Sequence, residues 1–402
     1  MQYHALALAD HGVDVDVVAF RGSEPLRALR EHPRVALHLL APPEASAQMS
    51  TPAFIVRSVA RVVVQTFQLM RLLWLGLERP DTVLVQNPPA VPVLPIALLY
   101  ARTRSARLVI DWHNLGHTML ALRLGPTHPA VRMMRWCEGA FGRRADAHLC
   151  VSRAMAAGLE RGFGIANATV LHDRPAALFR PVEANERAAI LARLAPAFPA
   201  GNGKRPAIIV NPSSWTADED PGMLLEAVRK YDEMAGRDTG VPLPELLILL
   251  TGRGPLRAAY ERELRCLSLR RVRLHTLWLS AEDYALMLGA ADLGICCHRS
   301  SSGVDLPMKI ADMFGVALPV CAYNYGPCLG EIVRDGENGL LFSSAEQLAS
   351  QLCELLRGFP DDTPLLDRLR GNLARNRPGS WSSAWNDEAA AVLLRGPSGV
   401  RR

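Results

Sequence analysis

The sequence predicts an α/β fold with two doubly wound, Rossmann-like domains that face each other across a cleft. Two observations predict this class. Apolar runs of strand length alternate with longer helical patterns through most of the chain, as they do when helices cover both faces of a parallel sheet. The chain has 402 residues, of which 49% are hydrophobic, so it can form a large core and is too long for one ordinary domain.

Ten apolar runs are predicted to form strands, in two sets of five. The first set comprises residues 13–20, 35–40, 82–86, 107–113 and 147–152, and the second comprises residues 207–212, 245–252, 272–277, 292–297 and 318–323. Between the sets, a stretch with three prolines ends in the loop-forming sequence GNGK. We therefore predict a boundary near residue 200. This gives an N-terminal domain of residues 1–200 and a C-terminal domain of residues 201–402, with a terminal helix that can return to the first domain.

The first domain begins with a helix instead of a strand. Residues 3–10 have a helical pattern, and the next strand is predicted at residues 13–20. In a doubly wound sheet, a first strand and its ligand-facing loop precede that helix. We therefore expect the first strand of the N-terminal domain to be missing from this sequence.

The charged residues exclude some classes of partner. The formal net charge is +5, and the 45 basic residues include only three lysines, Lys204, Lys230 and Lys309. Such a mild, unclustered excess is unlike that of a nucleic-acid-binding protein. It favours a basic face for phosphates or for a membrane surface.

Neither the cysteines nor the apolar segments indicate an extracellular or membrane-spanning chain. The eight cysteines are scattered without a CxxC pair, which predicts reduced thiols and no zinc or redox site. The sequence has no stretch of 18 uninterrupted apolar residues, and its N-terminus lacks the features of a signal peptide. As written, the sequence predicts a chain that neither spans a membrane nor is secreted.

Residues 53–79 are predicted to form an amphipathic basic helix. Most of the segment is apolar, and three arginines and two glutamines fall within an arc of about 120° on a helical projection. One interpretation is an interfacial helix on anionic lipid. The other is a helix packed on the sheet with its arginines in solvent, and the pattern fits both.

Residues 298–320, HRSSSGVDLPMKIADMFGVALPV, contain the densest group of candidate ligand-binding residues. They follow a predicted strand and pass through a serine-glycine turn into a helix with Pro307 near its first turn, where proline is tolerated. The amides of the turn at residues 300–303 and of the helix start predict an anion site. Lys309, one turn into the helix, adds a positive charge suited to a diphosphate.

Four further side chains extend this candidate site. Asp305 and Asp312 are seven residues apart, so they share a face if both lie on the helix, and carboxylates there suit ribose or sugar hydroxyls. Alternatively, Asp305 only caps the helix. Arg253 lies between two glycines of TGRGPL and can grip a phosphate, and Glu331 begins EIVRDGENGLLF, whose turn pairs precede a short strand. Alternatively, Arg253 is only a solvated residue of a turn, and Glu331 belongs to an ordinary loop before the strand.

The first half contributes VIDWHNLGHTML at the end of a predicted strand, where open α/β sheets bind ligands. His113 can take a proton near neutral pH, and Asp111 can orient it or act itself. A hydrogen-bonded structural histidine is the alternative. The acids of WTADED at 215–220 suit either a metal or the cap of the following helix, and we predict no metal site from them.

The sequence resembles the family of chitobiosyldiphosphodolichol β-mannosyltransferases, the β-1,4-mannosyltransferases of asparagine-linked glycosylation. The family has the GT-B architecture, whose outline some epimerases and phosphorylases share. The resemblance runs almost end to end, ending in a helix with Trp381 and Trp385. The matching blocks are residues 4–20, 85–94, 111–122, 211–227, 251–256, 278–296, 300–315 and 318–342.

The resemblance implies transfer of mannose from GDP-mannose to GlcNAc2-diphosphodolichol, with inversion. His113 or Asp111 would be the base, the first domain would bind the acceptor, and the second would bind GDP-mannose. No tightly bound cofactor is implied, and Mg²⁺ is compatible with the sequence without being implied by it. The residues that would bind the donor are Arg253, Ser301, Ser302, Gly303, Asp305, Lys309, Asp312 and Glu331.

The family also implies a place at the cytosolic face of the endoplasmic reticulum membrane, with other mannosyltransferases as further partners. Against the family pattern, we expect the N-terminal anchor and the first strand to be missing from this sequence, and Arg299 adds a cation. Asp305 and Asp312 stand where many GT-B enzymes have glutamates eight apart, so retaining chemistry is not implied. Two alternatives stay open: a truncated non-catalytic relative that binds GDP or a partner mannosyltransferase, and a retaining α-mannosyltransferase of the same fold.

Overall fold

The structure, a computed structural model, divides into two compact units. It describes residues 1–22, 24–41, 51–194, 204–216, 218–219, 221–237 and 242–395. The first unit contains Met1–His172 and Ser382–Arg402, and the second contains Asp173–Trp381. The division precedes the expected boundary near residue 200, because the helix Ala184–Leu194 packs on the helix Ala281–Ala290 of the second unit. The last part of the expected linker, residues 195–203, lies outside the described residues.

The first unit contains two parallel sheets. One has two strands, β1 and β2, and the other has the order β3-β4-β5-β6. Its elements are α1 (Gln2–Asp10), β1 (Val15–Phe20), α2 (Arg27–Glu31), β2 (Val35–Leu40), α3 (Thr51–Leu75), β3 (Thr82–Asn87), α4 (Val93–Arg104), β4 (Arg107–Trp112), α5 (Gly116–Leu124), α6 (Pro129–Gly142), β5 (Ala147–Cys150), α7 (Arg153–Phe163) and β6 (Thr169–Val170). The expectation that the first strand of a doubly wound sheet is missing before α1 stays a prediction.

The second unit is built on a six-stranded sheet. Its elements are α8 (Ala184–Leu194), β7 (Ala207–Pro212), α9 (Pro221–Gly236), β8 (Leu246–Thr251), α10 (Arg257–Cys266), β9 (Val272–Leu277), α11 (Ala281–Ala290), β10 (Leu293–Cys296), α12 (Met308–Gly315), β11 (Val320–Tyr323), a 3₁₀ turn (Pro327–Glu331), β12 (Gly339–Phe342), α13 (Ala345–Leu356) and α14 (Pro364–Arg375). After it come α15 (Trp381–Ala384), a π turn (Trp385–Ala389) and α16 (Ala390–Leu393).

The strand order of the second unit determines where a ligand is expected. The sheet is parallel with the order β9-β8-β7-β10-β11-β12, so the direction of winding reverses between β7 and β10. In open α/β sheets, ligands bind beyond the carboxyl ends of the strands at this reversal. Every residue of β7 and β8 is buried, which explains why both strands are continuous apolar runs.

All ten predicted strands are present, and the short strand expected after the DG and NG pairs is β12. The two-residue strand β6 was missed because it is too short to carry a pattern. Seven of the eight cysteines are buried, Cys266 is exposed, and all are free thiols. Within the described part of the chain, none of the helices combines the length and the hydropathy needed to cross a bilayer.

Candidate functional site

Two polar loops meet at the winding reversal of the second unit. One follows β7 and contains Ser213, Ser214 and Glu219, and the other follows β10 and contains His298. An isolated antiparallel bridge between Glu219 and His298 joins them. We call the side chains gathered here the switch-point cluster: Ser213, Ser214, Asp218, Glu219, His298, Ser300, Ser302, Asp305 and Lys309.

Lys309 is held by a buried carboxylate. It is the second residue of α12, nearer the helix start than the full turn expected from sequence, and its Nζ pairs with Oε1 of Glu219. The Glu219 carboxylate also accepts hydrogen bonds from the Ser213 and Ser214 hydroxyls and from the Ser214 amide, the last at 2.9 Å. Burial lowers the pKa of Lys309 to about 8, and the charge of Asp218 acts in the opposite direction. Lys309 is therefore fixed beside the start of α12.

Asp305 organises the serine turn without capping α12. Its buried carboxylate accepts hydrogen bonds from the Ser300 hydroxyl and, at 3.0 Å, from the Ser302 hydroxyl. Asp305 lies three residues before the helix, and no side chain caps the helix start. Because only Asp312 lies on α12, the two carboxylates do not share a helix face as the spacing had suggested. The first amides of α12 are thus left uncapped by any described side chain.

His298 is a charged imidazole inside the cluster. Its Nε2 is 3.2 Å from an oxygen of Asp305, and its Nδ1 is 3.4 Å from an oxygen of Asp218. Burial alone would lower its pKa, but hydrogen bonds and charge from the two carboxylates raise the pKa of His298 to about 9. Nothing in the sequence pattern indicated this residue, because only the fold brings both acids against it.

Arg253 lies in a loop whose backbone requires glycine at both neighbouring positions, 252 and 254. A Cβ on either flanking glycine would overlap a carbonyl oxygen of the loop at residues 213–214, and Gly252 has φ +124°. The two backbones therefore pass in direct contact, and the TGRG sequence is explained by this approach. The exposed Arg253 guanidinium lies 3.9 Å from the ring centre of Trp278, a cation–π distance.

The remaining donor-site predictions fall in two places. Ser301 and Gly303 are half-buried in the serine turn, and the Cys328 thiol donates to the Gly303 carbonyl oxygen at 3.1 Å. Glu331 ends the 3₁₀ turn that contains Cys328, and its charge acts on that thiol. Glu331 is therefore a neighbour of the serine turn.

Asp312 has other neighbours. It lies one turn after Lys309 on α12 and is half-buried. Burial, and then the charge of Asp173, raise the pKa of Asp312 to about 7, and the charge of Asp312 in turn acts on Tyr284 of α11. Among the described residues, no hydrogen bond joins Asp312 to the switch-point cluster, so the structure does not bring it together with Asp305.

Two of the acids after β7 pair with the cations of the switch-point cluster. Asp218 and Glu219 face His298 and Lys309 instead of capping α9, and Asp220 lies outside the described residues. Over the described ranges, no three or more His, Cys, Asp or Glu side chains are arranged to hold a metal ion.

In the first unit, Asp111 and His113 form a hydrogen-bonded pair at the end of β4. Nε2 of His113 is 2.8 Å from Oδ2 of Asp111, and Nε2 of His4 is 3.3 Å from the same oxygen. The Trp385 indole N–H donates to Nδ1 of His4 at 2.9 Å, so a neutral His4 has its proton on Nε2. Burial would raise the pKa of Asp111, but the two histidines lower it below its usual range. Asp111 is therefore ionised.

A second histidine–carboxylate pair lies nearby in the chain and was missed from sequence. Glu138 of α6 is fully buried, and its Oε2 is 2.6 Å from Nδ1 of His117. Its Oε1 accepts from the Gly116 amide at 2.6 Å and from the Asn87 side-chain amide at 3.0 Å. One carboxylate thus joins the end of β3, the start of α5 and the His117 ring. Glu138 is 21 residues from His117, which hides the pair in sequence.

Comparisons with known proteins match both units. A family model described as "Glycosyl transferase 4-like domain" matches residues 2–172, and one described as "Glycosyl transferases group 1" matches residues 215–358. The first match ends at the residue where the structure divides.

Two relatives are similar over nearly their whole length. The chain is 40% identical to "UDP-glycosyltransferase TURAN" of Arabidopsis thaliana, covering 98% of this chain and 94% of that protein. It is 38% identical to the chitobiosyldiphosphodolichol beta-mannosyltransferase of Homo sapiens, covering 98% and 89%. Among solved structures, sucrose-phosphate synthase from Thermosynechococcus elongatus is similar with a TM-score of 0.65 and 17% identity, covering 95% of this chain and 89% of that one. That similarity confirms the predicted class of two Rossmann-like domains.

Proposed function

This chain belongs to the family of chitobiosyldiphosphodolichol β-mannosyltransferases, and from that premise we propose that it transfers mannose from GDP-mannose to chitobiosyldiphosphodolichol. The predicted glycosyltransferase class and GT-B fold are confirmed, and the family uses a nucleotide-sugar donor. The reaction inverts the anomeric carbon and forms a β-1,4-mannose bond. Its place is the cytosolic face of the endoplasmic reticulum membrane, in the assembly of the oligosaccharide for protein N-glycosylation.

The observation that carries the proposal is the switch-point cluster, which fixes two cations, Lys309 and His298, among buried carboxylates. Transfer from a nucleotide sugar leaves a diphosphate that gathers negative charge in the transition state, and fixed cations and amides stabilise that charge. Lys309, His298 and the uncapped start of α12 supply both kinds of group beside the winding reversal. Arg253 lies on the neighbouring loop and supplies a further guanidinium.

The acids and serines of this unit take different parts. Ser301, Ser302 and Gly303 form the turn that binds the donor, and Asp305 holds that turn in place through its hydrogen bond from Ser302. Glu331, beside the turn, and Asp312 accept hydrogen bonds from donor hydroxyls, as the family resemblance implies. Mg²⁺ has no assigned role in this scheme.

The first unit supplies the base for the acceptor hydroxyl. When Nε2 of His113 donates to Asp111, the neutral ring accepts a proton at Nδ1. Asp111 already accepts from two imidazoles, so it acts as a positioning residue and His113 is the general base. His117, which pairs with the buried Glu138, is another candidate base in the first unit.

Calorimetry and a transfer assay test the proposal. We expect GDP-mannose to bind at least ~10-fold more tightly than UDP-glucose, since the two donors differ in base and sugar. Transfer to a short-chain chitobiosyldiphospholipid should yield a β-anomer by nuclear magnetic resonance. An α-anomer would identify a retaining enzyme, and donor binding without transfer would identify a non-catalytic relative.

Substitution of the two histidines tests the base. His113→Ala should lower turnover at least ~100-fold with GDP-mannose affinity nearly unchanged, because a general base contributes about 10² to 10⁴ in rate. The matched substitution His117→Ala should lower turnover by less than ~10-fold. If turnover survives in the first variant and is lost in the second, the base is His117 held by Glu138.

A further inference from the structure

The pair formed by Asp111 and His113 is the outer end of a longer row of hydrogen-bonded side chains. Oδ2 of Asp111 lies 2.8 Å from Nε2 of His113 and 3.3 Å from Nε2 of His4. Nδ1 of His4 accepts a hydrogen bond of 2.9 Å from the Trp385 indole. We call this set the tautomer chain: Trp385, His4, Asp111 and His113. The His113 side chain is 26% exposed, whereas the other three are buried, so a substrate can reach the chain only at His113.

The segment that returns to the first unit near the C-terminus holds the indole in place. Trp385 begins the π turn Trp385–Ala389, which belongs to the first unit. The guanidinium of Arg107, the first residue of β4, donates to the carbonyl oxygen of Val392 in α16. The ring of His11 packs against the indole, with their centres 5.2 Å apart. Single π turns within helices are rare and often lie at functional sites. Contacts other than the hydrogen bond to the imidazole thus position the indole.

The chemistry of its two ends fixes the direction of every hydrogen bond in the tautomer chain. An indole N–H can only donate, and an ionised carboxylate can only accept. Nδ1 of His4 is therefore an acceptor, and the proton of its neutral ring is on Nε2, which faces Asp111. A second proton on Nδ1 would place two donors against each other in the protein interior, which is unfavourable. Trp385 therefore keeps His4 neutral.

The neutral state of His4 matters for the charge of Asp111. In the proposed reaction, the acceptor hydroxyl gives its proton to Nδ1 of His113 while its oxygen bonds to the anomeric carbon and GDP leaves. The imidazolium that forms is stabilised by the Asp111 carboxylate, because an opposite charge within about 4–6 Å favours the charged form. A protonated His4 would neutralise that carboxylate from the inner side. His113 would then be a weaker base.

We propose that Trp385 and His4 are positioning residues for the general base. The indole holds His4 in its neutral Nε2–H tautomer, and His4 orients Asp111 while leaving the carboxylate charge to His113. Neither residue touches a substrate. The proposal rests on the proposed function, in which His113 is the base, and it gives the returning segment a part in catalysis.

Nuclear magnetic resonance of the full chain labelled with ¹⁵N-histidine tests the tautomer without any substrate. At pH 7 we expect His4 to carry a proton on Nε2 and none on Nδ1, with its signals assigned from their loss in His4→Gln. In Trp385→Phe, which keeps an aromatic ring and removes the indole N–H, we expect His4 to become protonated at Nδ1. A doubly protonated His4 in the wild type, or an unchanged neutral tautomer in Trp385→Phe, would overturn the proposal.

Steady-state kinetics with a lipid-linked acceptor tests the role in catalysis. Trp385→Phe and His4→Leu should each lower kcat at least ~10-fold and leave the KM for GDP-mannose within ~2-fold, because only the proton transfer is affected. Glutamine at position 4 accepts from the indole, donates to Asp111 and cannot become charged. We therefore expect His4→Gln to keep kcat within ~3-fold of wild type.

The double variant Trp385→Phe with His4→Gln separates the effect of charge from that of packing. Because glutamine stays neutral without the indole, kcat should recover to within ~3-fold of the single variant His4→Gln. A role of Trp385 in packing alone would give no such recovery. Absence of recovery, or a loss in His4→Gln as large as in His4→Leu, would overturn the proposal.

The first unit offers a matched control outside the tautomer chain. The Trp112 indole donates to Nδ1 of His148 at 3.2 Å, and both side chains are buried. His148→Gln and His148→Leu should keep kcat within ~2-fold of wild type, and thermal unfolding should show that every variant is folded at the assay temperature. A loss in the control variants equal to that in His4→Leu would overturn a specific role of His4.

The two readouts also distinguish the inference from the function on which it rests. Wild-type protein that shows the expected His4 tautomer and no transfer would refute the proposed function, and the catalytic role with it, while the tautomer assignment would stand. Transfer that is insensitive to both Trp385→Phe and His4→Leu would leave the proposed function in place and refute the positioning role.

Discussion

Asp312 should destabilise the second unit at neutral and alkaline pH. Its carboxyl is half-buried on α12, and burial together with the charge of Asp173 raises its pKa from 3.8 to about 7. Replacement by asparagine keeps the size of the side chain and removes its ionisation. We therefore expect Asp312→Asn to be more stable than the wild type above pH 7.

The sign and size of this effect follow from proton binding. Between pH 3.8 and about 7 the folded protein holds a proton on Asp312 that the unfolded chain has released, so the free energy of unfolding falls as pH rises. One pKa unit corresponds to about 1.4 kcal/mol, which gives at most about 4 kcal/mol for this shift. This decrease in the free energy of unfolding is complete above pH 7 and absent near pH 4.

Urea unfolding of the wild type and of Asp312→Asn at pH 5, 6, 7 and 8.5 measures this cost. The stability difference should grow with pH and level off above 7, and Asp362→Asn controls for the loss of an exposed carboxylate. A variant that is less stable than the wild type at pH 8.5, or a difference independent of pH, would refute the reasoning. A lower GDP-mannose affinity in the more stable variant would show that the Asp312 carboxylate contributes to donor binding at the expense of stability.

The remaining predictions concern the cations of the switch-point cluster. Lys309→Ala should lower the free energy of unfolding by about 3–5 kcal/mol, because it leaves the charge of the buried Glu219 carboxylate uncompensated. In the double variant Lys309→Ala with Glu219→Gln, thermal unfolding should show that most of this stability is restored. GDP-mannose affinity should fall by at least ~1.5 kcal/mol in both the single and the double variant, and unchanged affinity by calorimetry would remove Lys309 from the donor site. His298→Gln should lower the free energy of unfolding by up to about 3 kcal/mol at pH 6. Because the pKa of His298 is raised in the folded protein, its charge stabilises the fold fully below pH 6.5, and this contribution is lost as pH rises through about 9. A cost as large at pH 10 as at pH 6 would show that His298 acts by packing instead of by charge.

The candidate site was predicted only where its chemistry is local. Lys309 at the start of a helix, the serine turn and the glycines around Arg253 each follow from a few consecutive residues. The partners of these groups were not predicted. Glu219 lies 90 residues from Lys309, and no pattern within a window of the sequence relates them.

The same division holds for the fold. The alternation of apolar strands and amphipathic helices predicted the parallel sheets of both units, because hydrophobic periodicity is set by residues within one element. Ten strands and the helix now seen as α3 were predicted in this way. Which side of α3 faces outward depended on its packing against α4, and an amphipathic pattern alone does not contain that information.

The sequence by itself thus determined the fold class, the family and the positions of the candidate ligand-binding residues, since periodicity, turn chemistry and motif spacing are local properties. Only the tertiary structure decided which charges meet. His4 contacts Asp111 and also Trp385, which is 381 residues from His4 in the chain, and burial and the charge of Asp173, not that of Asp305, raise the pKa of Asp312. The physical reason is that sheet order and strand register bring distant side chains together, and the energies of those contacts depend on burial and distance, which exist only in the folded chain.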